Sequence, residues 1–130
     1  MTEQDNPKKA YGDRKVPLGL VPASALVYAA LAMQDGAEKY GAYNWREKPV
    51  RSTTFYHAAL RHLLAWFDGE EDAEDSGVPH LAHALACIAI IVDAKETGHL
   101  LDDRPPKGGA ARVLKRYETP KATPGGYPWS

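Results

Sequence analysis

The chain has 130 residues, which is enough for one domain with a modest core and too few for two independent ones. Acidic residues number 17 against 16 basic ones, so no overall positive field favours a nucleic acid polymer as a partner. The single cysteine, Cys87, excludes an internal disulfide, and the longest apolar run, residues 81–92, is too short to span a membrane, which together favour a cytoplasmic protein without a membrane partner.

Three helices are predicted in chain order, each from the spacing of its apolar residues. In residues 22–40 these recur at steps of three and four, which places them on one helix face. A second helix runs from Ser52 or Thr53 to Asp68, and its predicted buried face consists of Leu60, Leu63, Leu64 and Phe67. The third, from Val78 or Pro79 to Thr97, is apolar almost all round, as is typical of a central helix. The predicted fold class is therefore all-α, a small helical bundle.

Polar and Pro/Gly-rich segments flank and connect these helices. We predict a flexible N-terminal arm (residues 1–18), an all-α domain (residues 19–118) and an irregular C-terminal tail (residues 119–130). Residues 41–51 are predicted to form a loop in which Trp45 is exposed or half-exposed. Three substantial helices leave an incomplete core, which predicts a homodimer or homotetramer.

The third predicted helix and the turn before it carry groups that can bind a metal. His80 and His83 are three residues apart and share one helix face, so two imidazoles can meet one ion. The preceding turn, residues 69–79, is rich in acidic residues and begins with Glu70 and Glu71. If the second and third helices form an antiparallel hairpin, this acidic turn lies beside His80.

The first and second predicted helices carry groups that can bind phosphate. Arg61 and His62 lie toward the end of the second helix, while Asp35 and Glu38 share a face of the first and precede Lys39. Carboxylate oxygens suit Mg²⁺ or Mn²⁺, and imidazoles favour Mn²⁺. The pattern indicates phosphoryl chemistry, in which a metal bridges phosphate oxygens and cations take up developing charge. The structural alternative is a set of helix caps, a solvated acidic turn and a tryptophan that plugs the bundle.

Four segments of the sequence together resemble one known family. They are KYGAYNWR (39–46), AALRHLLAWFDGEE (58–71), DSGVPHLAHALA (75–86) and DDRPP (102–106). As a set they are similar to the phage dATP/dGTP diphosphohydrolases of the MazZ type, which resemble the MazG-like all-α nucleotide pyrophosphohydrolases. The resemblance implies hydrolysis of a purine deoxynucleoside triphosphate, dGTP first and dATP second, to the monophosphate and pyrophosphate. It also implies Mg²⁺ or Mn²⁺ as cofactor, and dGMP supplied for phage 2-aminoadenine synthesis in a host cytoplasm.

The site residues are predicted from this chain's own side chains. MazG-like relatives carry a Glu-x-x-Glu helix followed by a Glu-x-x-Asp helix, whereas the second position here is HLAH (80–83). The predicted metal ligands are Glu38, Glu70, Glu71 and Asp75, and the predicted catalytic residues are Glu70, Glu71, His80 and His83. The predicted phosphate-binding residues are Lys39, Arg61 and His62, and the predicted base-binding residues are Asn44, Trp45 and Asp103.

Two other functions are compatible with the same helical pattern. One is an HD-like dNTP triphosphohydrolase, a class that normally needs a His-Asp dipeptide, and this sequence contains none. The other is a non-catalytic helical phage adaptor or regulator, in which the polar residues shape an oligomer interface. The products formed from each dNTP distinguish these three hypotheses.

Overall fold

The body of the molecule consists of three long helices that agree with the predicted ones to within two residues at each end. A computed structural model describes residues 6–119. In chain order its elements are α1 (Pro7–Gly12), a 3₁₀ turn (Leu18–Leu20), α2 (Ala23–Tyr40), α3 (Asn44–Glu47), β1 (Val50–Arg51), α4 (Ser52–Phe67), α5 (His80–Glu96), β2 (Leu100–Leu101) and α6 (Ala110–Arg116). Helix makes up 62% of the structure, and the one sheet within residues 6–119 has two strands, so the predicted all-α class is confirmed. Within the same residues, no helix is both long and apolar enough to cross a membrane.

Helix α5 is the central element, because it packs against both α4 and α2. The residues that it buries are small: Ala82 and Ala94 have no exposed surface, and Ala86 joins Ala32 of α2 in the apolar core. Small side chains allow helices to approach closely. The close approach places the first turn of α5 next to both neighbouring helices.

The acidic segment between α4 and α5 forms a compact turn. Ala73 is buried at the centre of this turn and donates its N–H to the carbonyl of Val78 at 2.9 Å. The N–H of His80 donates to the carbonyl of Glu71 at 2.8 Å, so the turn is bonded directly to the start of α5. Helices α4 and α5 therefore form a hairpin, and the acidic turn lies beside His80.

A second connection joins the start of α4 to the segment that follows α5. Strands β1 and β2 pair in parallel, with Val50 opposite Leu100. Just beyond β2, the Asp103 carboxylate accepts the N–H of Thr53 at 2.9 Å and the hydroxyls of Ser52 and Thr53 at 2.8 and 2.5 Å. These bonds satisfy donors that the first helical turn leaves free and place a negative charge at the helix N-terminus. The hydrogen bonds from Thr53 and Ser52 lower the pKa of Asp103 to about 2.

The outer faces of the helices expose large apolar side chains. On α4, Leu64 is 65% exposed and Phe67 is 81% exposed, and Leu60 and Leu63 are exposed as well. The predicted buried face of this helix is therefore wrong for a single chain. Beyond its first turn α4 buries Ala59 instead, because α5 packs against that side and no element within residues 6–119 covers the leucines.

The predicted N-terminal arm contains a short helix. Asn6 accepts the N–H of Lys8 at 3.0 Å and Pro7 occupies the first helical position, so α1 has both of the usual start signals. Helix α1 buries none of its residues. The parts of the predicted arm and tail at residues 1–5 and 120–130 lie outside the described residues.

Replacing Asp103 by alanine should destabilise the protein at neutral pH, because Thr53 and Ser52 lose their acceptor. We expect the melting temperature, measured by circular dichroism, to fall by roughly 5 °C, whereas Glu74→Ala in the exposed acidic turn should change it little. The pKa of Asp103 in the folded protein, about 2, is below the ordinary value of about 4, so this carboxylate stabilises the fold fully above about pH 4 and loses that effect as pH falls toward 2. A difference between wild type and variant that stays constant over this interval would contradict the assignment.

Candidate functional site

A groove of about 1100 Å³ is lined by residues of α2, α3, α4, α5 and the turns between them. Its walls are largely apolar, and two groups of polar and aromatic residues line it as well. The first group, the charged cluster, consists of Asp35, Lys39, His62, Asp75 and His83. The second group, the aromatic wall, consists of Tyr43, Asn44, Trp45, Arg46 and Asp93.

Lys39 is bonded to one carboxylate of the charged cluster and feels the charge of a second. Its ammonium donates to Asp35, one turn earlier in α2, at 2.9 Å. That hydrogen bond, together with the negative charges of Asp35 and Asp75, raises the pKa of Lys39. Burial lowers the pKa of His83, and the same two carboxylates oppose that shift. Helix α2, the acidic turn and α5 therefore each contribute charged or titratable groups to one region of the groove.

Three histidines from α4 and α5 are in mutual contact. Nδ1 of His62 lies 2.9 Å from Nδ1 of His80, and the His62 ring stacks on that of His83 with centroids 4.6 Å apart and planes inclined by 16°. On the other side of His80, Nε2 lies 2.8 Å from Oε1 of Glu70. Burial, followed by the charges of nearby basic groups, lowers the pKa of His62. The two rings that line the groove, those of His62 and His83, are therefore neutral at neutral pH.

Ser76 links the acidic turn to α5 through a side-chain hydrogen bond. Its Oγ lies 2.8 Å from Nε2 of His83 and accepts the N–H of Val78 at 3.2 Å. The Asp75 carboxylate accepts the N–H of Ser76 at 2.9 Å. These contacts hold Asp75 and His83 at the same groove.

The aromatic wall is organised around Asp93 of α5. Its carboxylate accepts the indole N–H of Trp45 at 2.7 Å and two guanidinium N–H groups of Arg46 at 2.8 and 2.9 Å. The hydrogen bonds from Arg46 and Trp45 lower the pKa of Asp93 to about 2. Gly41 and Tyr43 adopt positive φ values of 89° and 55°, which turn the chain sharply between α2 and α3. This turn lets α3 pack against α5.

Trp45 is buried, which corrects the prediction of an exposed or half-exposed ring. Only 8% of its surface is exposed, because its indole nitrogen is bonded to Asp93 and α3 lies against α5. The more accessible ring of the aromatic wall is that of Tyr43, whose centroid lies 5.6 Å from that of Trp45. The guanidinium carbon of Arg46 lies 4.5 Å from the Tyr43 ring centroid, a cation–π geometry.

The structure brings some of the predicted site residues to the groove and leaves others outside it. Those that line the groove are Lys39, Asn44, Trp45, His62, Asp75 and His83. Those that are not part of its lining are Glu38, Arg61, Glu70, Glu71, His80 and Asp103. Glu70 and His80 reach the groove only through the contact of His80 with His62. Asp103, predicted to bind the base, lies outside this lining, and its carboxylate accepts hydrogen bonds from the first turn of α4.

The four predicted metal ligands do not form one group. Among the residues that the structure describes, no three His, Cys, Asp or Glu side chains come together in a way that could hold a metal ion. Glu70 is bonded to His80, Glu38 is exposed on α2, and Asp75 is the member of the predicted set that lines the groove. The groove carboxylates whose negative charge raises the pKa of Lys39 are Asp35 and Asp75.

Five residues of this site are not in the predicted set: Asp35, Tyr43, Arg46, Ser76 and Asp93. Asp35 has a signal in the sequence, since it lies four residues before Lys39 on the same helix face. Asp93 bonds Arg46 across 47 residues of sequence, and no local pattern indicates such a contact.

Most of the chain matches one family model. The model is described as dATP/dGTP diphosphohydrolase, N-terminal, and it matches residues 5–104. That interval contains every residue of the charged cluster and of the aromatic wall. Comparison with curated proteins and with solved structures finds no match.

Proposed function

The chain belongs to the dATP/dGTP diphosphohydrolase family, and we propose that its groove holds a purine deoxynucleoside triphosphate while water cuts it between the α and β phosphates. Membership of this family makes the protein an enzyme, which overturns the alternative of a non-catalytic adaptor. The observation that carries the proposal is that the charged cluster and the aromatic wall line one groove. A nucleotide needs these two surfaces next to each other, one for phosphate and one for the base.

The charged cluster supports binding of the triphosphate. The ammonium of Lys39 has three donors and uses one of them for Asp35, so it can also bond phosphate oxygens. The stacked rings of His62 and His83 line the same groove and shape the space next to this cluster. Arg61 is exposed outside the groove lining and lowers the pKa of His62 through its charge, so we propose an indirect role for it.

Asp35 and Asp75 fit a divalent metal that arrives with the nucleotide. Mg²⁺ in nucleotide enzymes keeps several waters and takes one or two protein carboxylates plus phosphate oxygens. Asp35 and Asp75, whose charges both raise the pKa of Lys39, supply the two protein carboxylates of such a site. A metal held by protein side chains alone would need at least three ligands close together, and the described residues do not provide them. When bound, Mg²⁺ or Mn²⁺ would neutralise charge on the triphosphate oxygens and polarise the α-phosphorus.

The aromatic wall supports binding of the purine. The Tyr43 ring is exposed, and Trp45 forms an apolar surface beside it. The amide nitrogen of Asn44 donates to the carbonyl of Gly41 at 3.3 Å, and within residues 6–119 its amide oxygen has no hydrogen-bond donor. This oxygen can therefore accept from an amino group of the base.

The family resemblance also supports a narrower role. We propose dGTP as the principal substrate and dATP as the second, with the dGMP product supplied for phage 2-aminoadenine synthesis. Guanine offers an amino donor and a carbonyl acceptor, and an amide such as that of Asn44 can pair with both kinds of group.

The exposed apolar faces support a homodimer or homotetramer. Leu26 of α2, Leu64 and Phe67 of α4 and Ile88 of α5 are more than half exposed. Within the described residues no large side chain is fully buried, so one copy has little core of its own. A second copy packed on these faces would supply the missing layer.

Incubation with dGTP and Mg²⁺ in ¹⁸O-labelled water should give dGMP and pyrophosphate, with the label in dGMP. The reason is that water oxygen bonds to the α-phosphorus as the bond to the bridging oxygen breaks. Chromatography identifies the products, and mass spectrometry locates the label. Deoxyguanosine plus triphosphate would instead support the HD-like alternative, and no turnover of dGTP or dATP with either metal would overturn the proposal.

Asp35→Asn and Asp75→Asn should each lower turnover by roughly 100-fold, because each removes a charged metal ligand. Mg²⁺ should tighten binding of a non-hydrolysable dGTP analogue to the wild type by roughly tenfold, and each variant should lose that effect. Asp72→Asn, in the same acidic turn but outside the groove lining, serves as the control and should behave as wild type. Tight Mn²⁺ binding without nucleotide would contradict a metal that arrives with the substrate.

Light scattering should give a mass of two or four times the 14.2 kDa of one chain. Leu64→Arg should shift this mass toward that of one chain, because it places a charge in the proposed interface. Leu114→Arg changes a comparably exposed leucine on α6 and is the matched control. A wild-type protein that remains monomeric at high concentration would exclude the oligomer.

A further inference from the structure

Glu70, His80 and His62 form a continuous line of hydrogen bonds from the acidic turn to the groove. Oε1 of Glu70 lies 2.8 Å from Nε2 of His80, and Nδ1 of His80 lies 2.9 Å from Nδ1 of His62. His80 is buried, with 7% of its surface exposed, whereas Glu70 is exposed to solvent. The line therefore crosses from solvent to the groove through one buried imidazole.

The chemistry of Glu70 determines where the protons lie along this line. A carboxylate can only accept, so Nε2 of His80 must donate to it. In neutral His80 the other nitrogen, Nδ1, is then an acceptor, and Nδ1 of His62 must donate to it. Neutral His62 consequently carries its proton on Nδ1 and has a free lone pair on Nε2.

Nε2 of His62 is the open end of the line. Within residues 6–119 no hydrogen bond reaches this atom, and no buried side-chain nitrogen or oxygen lacks a partner, so Nε2 is accessible. His62 lines the groove, and stacking on His83 holds its ring plane. His62 thus offers a basic nitrogen to the groove lined by the charged cluster, and its hydrogen bond to His80 fixes which of its two nitrogens carries the proton.

We propose that Nε2 of His62 is the base that takes the proton from the attacking water, and that Glu70 and His80 position it and receive the charge. The proposal rests on the proposed function. As the water oxygen bonds to the α-phosphorus, its proton moves to Nε2 of His62 and the bond to the bridging oxygen breaks, so that pyrophosphate leaves. The Nδ1 proton of His62 moves to Nδ1 of His80, and the imidazolium formed there lies against the Glu70 carboxylate.

The surroundings of His62 favour this direction of transfer. Arg61 carries positive charge near its ring, and His83 is stacked on it, so a cation on His62 itself is disfavoured. Transfer to His80 moves the positive charge away from the groove to a carboxylate at 2.8 Å. Asp75 is the negative group that acts on His62 from the groove. The same logic, a carboxylate that orients and stabilises an imidazole base, operates in other hydrolases.

The tautomer of His62 can be measured without substrate. In the full-length ¹⁵N-labelled protein, in mildly alkaline buffer, long-range ¹H–¹⁵N correlation spectra should show His62 protonated on Nδ1 and His80 on Nε2. Glu70→Ala should convert His62 to a mixture of tautomers, while Glu74→Ala, in the same turn and without a hydrogen bond to His80, should leave it unchanged. His62 protonated on Nε2 in the wild type would overturn the proposal.

Kinetics separate a base from a phosphate-binding group. His62→Ala should lower kcat for dGTP by roughly 100-fold with little change in KM, because the lost interaction acts in the transition state. Glu70→Ala should lower kcat in the same way, and Glu70→Gln, which keeps the size of the side chain, should do so because a neutral amide does not stabilise the imidazolium. A rise in KM at unchanged kcat in these variants would overturn the proposal in favour of phosphate binding.

The two measurements also separate this proposal from the proposed function. A wild-type protein with the predicted His62 tautomer that turns over no purine dNTP would overturn the proposed function and, with it, the base role. An active protein whose His62 carries its proton on Nε2 would overturn the base role alone.

Discussion

The close packing of α5 between α2 and α4 is the constraint on which the site depends. The inner surface of α5 consists mainly of alanines, and Ala82, in its first turn, has no exposed surface. Helices that meet through such small side chains can lie close together. As a result, His80 and His83 of α5 contact His62 of α4 across the interface. The acidic and basic side chains of α2 reach the same groove from the other side.

Two kinds of carboxylate follow from this packing. Asp93 and Asp103 each accept several hydrogen bonds, and these bonds hold the pKa of each carboxylate at about 2. Their oxygens are therefore occupied by contacts within the fold. Asp35 and Asp75, in contrast, each accept one hydrogen bond within residues 6–119, from Lys39 and from the N–H of Ser76 respectively. Asp35 and Asp75 therefore retain lone pairs that a metal can use.

Histidines from two helices line one side of the site. His80 and His83 of α5 are placed against His62 of α4. Imidazoles carry less negative charge than carboxylates, and they can take a proton at neutral pH. The proposed histidine base and the proposed metal that arrives with the nucleotide both rest on this composition of the site.

The sequence by itself determined the three long helices and the family, because apolar periodicity, caps and ordered motifs are local features of the chain. It also identified Lys39, His62, Asp75 and His83 as candidates. Only the tertiary structure decided that Trp45 is buried, since its partner Asp93 lies 48 residues away. It likewise decided that Asp103 accepts a hydrogen bond from the first turn of a helix that begins about 50 residues earlier in the chain. Such pairings depend on how helices cross and turns reverse, which local sequence patterns do not encode.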